Sequence, residues 1–193
     1  MLRNGFPGVK SWSFLLFVGA VLGFAPHVEA QTRLVGWGAR RFDSTWNRGP
    51  FAAIEAGESS TLARRLDGTY VAWGKNTTGF VPTPTLPAGT TFVQVVHTNT
   101  QCFGRRSDGL VNVWPGQATY NFGSPVVKLV AGSSHVTVLL ADGTLRHFGN
   151  TTYGQGTFPT LPAGTTYVDI AAGTNHSIAE RSDGVVVSFG LET

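Results

Sequence analysis

Two side-chain types recur in this chain at spacings that could support chemistry: the histidines His135 and His176, and the carboxylates Asp67, Asp108, Asp142 and Asp183. A histidine beside a carboxylate can serve as a general base or a metal site, provided that the groups converge on one pocket. Here they are spread at regular intervals instead. In each of four stretches a Gly or its substitute precedes an Asp-Gly pair by ten residues, and an aromatic residue follows that Asp by six. Residues at equivalent points of a repeat stand on separate structural units, so these carboxylates cannot form an acid/base pair, nor the histidines a ligand cluster. His135 and His176 therefore read as structural hydrogen-bonding groups, and no catalytic residue or metal ligand is assigned. His27, His97 and His147 share no such spacing.

The other routes to chemistry are absent from the sequence. There is no nucleophile elbow, no phosphate-cradling glycine loop and no cysteine metal cluster, and so no motif for a cofactor. The single cysteine, Cys102, cannot form an intramolecular disulfide. Set against the copies, it is expected to occupy the position of Thr61, Thr137 and Ser177 as a small packed residue. Each Asp-Gly pair (Asp67-Gly68, Asp108-Gly109, Asp142-Gly143, Asp183-Gly184) is flanked by alternating apolar residues, the pattern of a β-hairpin. The Asp side chain bonds its own following backbone, and the Gly accepts a positive φ at no steric cost.

These hairpins must be held by a larger repeat. The aromatics Trp37, Trp73, Trp114, Phe148 and Phe189 are separated by 36, 41, 34 and 41 residues. Residues 85–95 recur almost unchanged as residues 160–170. A period near 40 with several short strands per unit is the mark of β-propeller blades, whose faces are buried against neighbouring blades. Apolar positions alternate and show no 3.6-residue period, which excludes helical repeats. Gly57, Gly132 and Gly173 are expected where the backbone takes unusual dihedrals or blades approach closely. The second copy departs from the rest, with Thr98 in place of the first Gly and Pro115 in place of the Gly after the aromatic.

Arg3 and Lys10 precede and enter an apolar run that leads to the small-residue site Val28-Glu29-Ala30, which predicts a secretory signal peptide over residues 1–30. The run is about twelve residues, short of the roughly 20 that span a bilayer. No stable membrane insertion is expected after cleavage. The remaining 31–193 are assigned to one repeat domain, with a partial unit at 31–38 and units at 39–74, 75–114, 115–149 and 150–190. A formal charge of +3 is too mild to argue for nucleic acid. Few charges and abundant Gly, Val, Thr, Phe and Trp fit an all-β extracellular domain.

Candidate binding residues lie on two connectors, Asn76 to Phe80 and Asn150 to Gln155. Both are read as exposed loops carrying an aromatic and amides: Asn76 and Phe80 in the first, Asn150, Tyr153 and Gln155 in the second. The segment 39–50, with Arg40, Arg41, Trp46 and Arg48, reads as an ordinary surface loop. Asn76, Asn150 and Asn175 satisfy the glycosylation pattern.

At Ala-Gly-x-x-His-Ser, Asp-Gly-x-Val-x-x-Trp/Phe-Gly-x-Asn and Tyr-Gly-Gln, the chain resembles the regulator of chromosome condensation repeat superfamily. The short blades are most similar to its secreted bacterial branch, typified by a β-lactamase-inhibitor propeller. The resemblance spans residues 31–193 and implies a fold more strongly than a function. Family rings usually close with about seven blades, whereas this chain has four hairpins accompanied by five aromatic strands. It is accordingly expected to be all-β, with propeller-type blades in an open arc or partial propeller of four repeats plus one extra N-terminal strand. Inhibitor-like members commonly carry an aromatic just before the repeat His, on the partner-binding face. Ser59, Thr100, Ser134 and Asn175 stand there, which disfavours β-lactamase inhibition.

The expected function is a secreted, non-enzymatic module that binds a protein or surface glycan through blade-connecting loops. The alternative is a polysaccharide-acting hydrolase or lyase with a site on the propeller face. No nucleic-acid partner is expected, and self-association through open blade ends is.

Overall fold

The computed structural model describes residues 50–57, 60–74, 80 and 83–191. The proposed signal peptide, the strand at Trp37 and Asn76 lie outside the described residues. The described chain is all-β and forms four antiparallel sheets in sequence order. The first holds β1 (Phe51–Ala56), β2 (Ser60–Arg65) and β3 (Tyr70–Gly74). The second holds β4 (Phe92–His97), β5 (Cys102–Arg106), β6 (Val111–Trp114) and a short β7 (Ala118–Tyr120). The third is built from β8 (Val126–Ala131), β9 (His135–Leu140) and β10 (Leu145–Gly149), the fourth from β11 (Tyr167–Ala172), β12 (His176–Arg181) and β13 (Val186–Gly190).

Each sheet is one propeller blade. The first strands of successive blades adjoin, β1 to β4, β4 to β8 and β8 to β11, so the blades stack in chain order. The core lies between the blades, because each sheet is apolar on both faces. Phe103, Val111 and Val113 of the second blade meet Val126, Leu129, Val136 and Val138 of the third. Leu62, Ala72 and Phe80 meet Phe92, Val95 and Trp114 across the first interface. Leu139 and Leu145 meet Tyr167, Ile170, Ala179 and Phe189 across the last. At each of these interfaces the front face of one blade is turned to the back face of the next.

The Asp-Gly turns are where the sequence places them. Each is a three-residue connection closed by a bond from the Gly N–H to the carbonyl three residues earlier, for example Gly143 N to Leu140 O at 2.9 Å. The Gly takes a φ of +76° to +84° at all four turns, the left-handed region that completes a hairpin of this length. The Asp carboxylates are satisfied locally in two ways. Where Thr follows by two, the carboxylate accepts from both its backbone and its hydroxyl: Thr69 N 2.9 Å and Oγ1 2.6 Å at Asp67, Thr144 N 2.9 Å and Oγ1 2.7 Å at Asp142. Where an apolar residue stands there, an Arg two residues before supplies the bond, Arg106 to Asp108 and Arg181 to Asp183. These donors hold Asp67, Asp142 and Asp108 below the usual carboxylate range, through Thr69, Thr144 and Arg106 respectively.

One expectation is corrected by the register. Cys102 faces Trp114, Thr61 faces Trp73 and Ser177 faces Phe189. In the third blade, however, Val136 faces Phe148 and Thr137 lies opposite His147. Val136, not Thr137, is the counterpart of Cys102. Cys102 is fully buried, and desolvation raises its thiol well above the ordinary value.

A β-bulge interrupts the first pairing of every blade, at Phe51/Ala53, Phe92/Gln94, Val126/Lys128 and Tyr167/Asp169. The bulged residues are used to join blades. The Gln94 amide donates to Leu129 O at 2.8 Å and accepts from Leu129 N at 3.0 Å, and Lys128 Nζ lies 2.5 Å from Asp169 Oδ1.

Candidate functional site

The two connectors singled out from the sequence differ in the structure from the exposed loops expected. Phe80 is fully buried: its ring packs in the core between the first two blades, 5.3 Å from that of His97, and its carbonyl accepts the Trp114 Nε1–H at 2.8 Å. Phe80 is therefore a core residue, and Asn76 is outside the described residues. Gln155 is likewise fully buried, its Oε1 accepting from Tyr153 N at 2.9 Å. The physical reason differs: Phe80 fills the gap that its connector crosses between the first two blades, whereas Gln155 turns in to hold the backbone of its own loop.

What the second connector does expose is Tyr153, 48% accessible, together with Asn150. The loop is built to hold them. Asn150 Oδ1 accepts from Thr152 N at 2.7 Å, an Asx turn, while Asn150 N donates to Ser134 O at 2.9 Å. Gly154 N donates to Thr151 O and Thr157 N to Gly154 O, both at 2.9 Å. His147 Nε2 bonds Asn150 O at 3.1 Å from below. The Tyr153 ring is thus presented on a loop whose backbone is already fixed, which lowers the entropic cost of recognition. Of the glycosylation patterns, Asn150-Thr151-Thr152 is exposed, whereas Ser177 of the pattern at Asn175 is fully buried.

Of the two repeat histidines, His135 is a strut between blades and His176 is not. His135 is fully buried, and its Nε2 is bonded to Ser177 Oγ of the next blade at 2.9 Å; Thr137 Oγ1 shares that hydroxyl at 3.0 Å. Burial, and the neighbouring His147 and His176, press its pKa down to about 4, so it is neutral at pH 7. Gly132 exists to admit this ring: a Cβ there would lie 2.3 Å from His135 Cε1. Gly173 stands in the same relation to His176, again at 2.3 Å, but His176 itself is exposed.

His97 is a strut that the repeat alignment did not reveal. A Cβ on Gly57 would meet His97 Cε1 at 2.3 Å, and His97 Nδ1 lies 3.3 Å from Ser60 Oγ. The first blade carries Ser60 where the third and fourth carry His135 and His176, so the second blade supplies the missing imidazole from the end of β4. Its signal in the sequence was the loss of His from the first two repeats, which carry Ser60 and Gln101 there, together with the gain of His97.

The carboxylates do not converge. Asp67, Asp108, Asp142 and Asp183 occupy four separate turns, and among the described residues no three His, Cys, Asp or Glu side chains form a metal-binding group. A shallow pocket between the first two blades is lined by Ala53, Glu55, Arg64, Tyr70 and Gln94. Burial raises Glu55 there.

Comparison with known proteins places this architecture. Residues 126–155, the third blade and its connector, match the family model of the regulator of chromosome condensation (RCC1) repeat. Yeast RCC1 (Prp20), solved bound to Kap60, aligns with a TM-score of 0.61 at 19% identity, covering 74% of this chain and 44% of that one. Prp20p from Saccharomyces cerevisiae, solved in a study of its binding to Gsp1p and histones, aligns at 0.58 and 20% identity over 74% and 44%. The CRINKLY ectodomain of the Arabidopsis thaliana receptor kinase ACR4 aligns at 0.57 and 20% identity over 74% and 54%. The chain is thus similar in fold to RCC1-type propellers and spans about half of each. No curated protein sequence matches it.

Proposed function

We propose that this chain is a non-enzymatic interaction module of the RCC1-repeat type that binds a protein partner through its blade-connecting loops. The observation that carries this reading is the loop of residues 150–155: the buried Gln155 and the Asx turn at Asn150 fix the backbone, and Tyr153 is left exposed on it. A rigid amphipathic aromatic on a preorganised loop is the residue type that anchors protein interfaces. The dispersal of the Asp and His side chains into turns and struts supports binding over catalysis. Kap60, Gsp1p and histones, named with the yeast structures, make a protein the first class of partner to try. An exposed ring beside an amide also suits stacking on a surface glycan, the second reading.

The proposal extends to secretion. The basic start, apolar run and Ala30 site support export with cleavage after residue 30. The binding test is capture with the wild-type chain and with Tyr153→Ala as bait, against proteins and glycans of the secreted fraction. A partner retained by wild type and lost with Tyr153→Ala is the expected result. Equal retention by both baits would remove the loop from the reading. Mass spectrometry of the exported N-terminus, expected to begin at Gln31, tests the signal.

A further inference from the structure

We infer that this chain associates head to tail, the open front of its fourth blade receiving the back of the first blade of a second copy. The fourth blade has the front face of an interior blade, and among the described residues that face is exposed. Along β12, Ser177 and Ala179 are buried against the third blade, while His176, Ile178 and Glu180 alternate with them and are exposed. Ile178 occupies the position of Phe103 and Leu62, and Val186 that of Val111 and Leu145. Those four counterparts are buried between blades, whereas Ile178 is 40% and Val186 59% accessible.

The same chain carries an open back. Ile54 of β1 stands where Val95, Leu129 and Ile170 stand in the later blades. All three are buried, and Ile54 is 53% accessible. The interface between the third and fourth blades shows how such a front and back fit. There a front Leu145 packs with a back Ile170, and a front His135 bonds a back hydroxyl, Ser177. Across a fourth-to-first contact the same positions offer Val186 to Ile54 and His176 to Thr61. His176 is already held for this, since its ring lies against Gly173 as that of His135 lies against Gly132.

Charge selects the head-to-tail arrangement. Glu180 takes the place of Leu139 on the front, which packs in the cluster containing Tyr167. The counterpart of Tyr167 on the first blade is Phe51, paired in register with Arg65. Arg65 donates to Thr69 Oγ1 at 3.4 Å and its charge also reaches Asp67, so Glu180 would meet the cationic end of the first blade's back. A symmetric front-to-front pairing would instead bring two Glu180 carboxylates together. A heterologous contact of this kind closes a ring or propagates.

The test is light scattering on the purified full chain over a range of concentrations. Wild type is expected to gain mass with concentration. Ile178→Arg, which spoils the front, and Ile54→Arg, which spoils the back, should each remain monomeric. Mixed, these two variants should form a one-to-one pair and nothing larger, because each keeps the face that the other lacks. All substituted residues are exposed, so unfolding curves should match wild type; Val186→Lys replaces Ile178→Arg if that variant unfolds, and Ala56→Arg on the exposed end of β1 replaces Ile54→Arg. Wild type that stays monomeric throughout overturns the proposal. So does a front variant that dissociates while the back variant still assembles, or a mixture that fails to pair.

Discussion

The third and fourth blades read almost alike in sequence, yet one strand of the pair is sealed and the other is half open. All six residues of β9 are buried, whereas β12 alternates between buried and exposed. Each strand begins with a His, each hairpin turns on Asp-Gly, and each last strand ends on Phe-Gly. The difference is the neighbour: the third blade lies between two others and the fourth is covered on one face. Equivalent positions therefore form matched pairs in which the side chain is similar and the environment is changed, and the comparison teaches that burial in a repeat array belongs to the interface and not to the repeat.

The largest expected effect tests that comparison directly. Leu145→Ala, at a residue 4% accessible, should cost about 2–5 kcal/mol in urea unfolding, as truncations of buried aliphatic residues do. Val186→Ala at the equivalent position should stay within about 0.5 kcal/mol at concentrations where the chain is monomeric. Similar losses at both sites would show that the fourth blade is covered in solution, and would have to be read against the assembly state.

Acid should act on the closed interface next. The pKa of His135 is lowered to about 4 in the fold against an ordinary value near 6.5. The unfolded chain therefore binds a proton first as pH falls. Stability from this residue is complete above pH 6.5 and is lost as pH drops from there to about 4, on the order of 3 kcal/mol in all. Burial also lowers His147, which adds loss in the same direction. Thermal unfolding across this range should show the decline, and His135→Gln should flatten it.

The turn glycines give a finer contrast. Gly143 and Gly184 have φ of +76° and +81°, so Ala at either is strained by about 1 kcal/mol. At Gly143 a Cβ would also lie 2.4 Å from Thr166 Cβ on the approach to the fourth blade, while at Gly184 it meets nothing within 4 Å. Gly143→Ala should thus lower the urea midpoint further than Gly184→Ala. Equal shifts would mean that Thr166 moves aside freely. The smallest effect is expected at the exposed pair joining these blades: Lys128→Ala, which removes the contact to Asp169, should cost about 0–1 kcal/mol and less in high salt.

Much of the fold was legible because its signals are local. The Asp-Gly pairs set their turns through bonds that span two or three residues, and the carboxylates of Asp67 and Asp142 take their main bonds from Thr69 and Thr144 two residues on. The candidate loops were less legible. Asn150 and Asn76 begin similar stretches, but Phe80 turns inward to fill the space between the first two blades, which exists only after the blades have stacked, and Gln155 is buried beneath its own loop.

The sequence by itself determined the repeat, the hairpins and the all-β class, since alternation and turn chemistry act within a strand or between neighbours along the chain. Tertiary structure alone decided which copies of a residue are struts and which are surface. His135 closes an interface and His176 is exposed, although the two occupy the same point in their repeats. His97 shows the converse, an imidazole from an unrelated position filling the slot over Gly57 that the first blade leaves empty. The reason is that a blade buries its faces only against another blade, and no residue carries in its own local sequence the identity of what will lie across the gap.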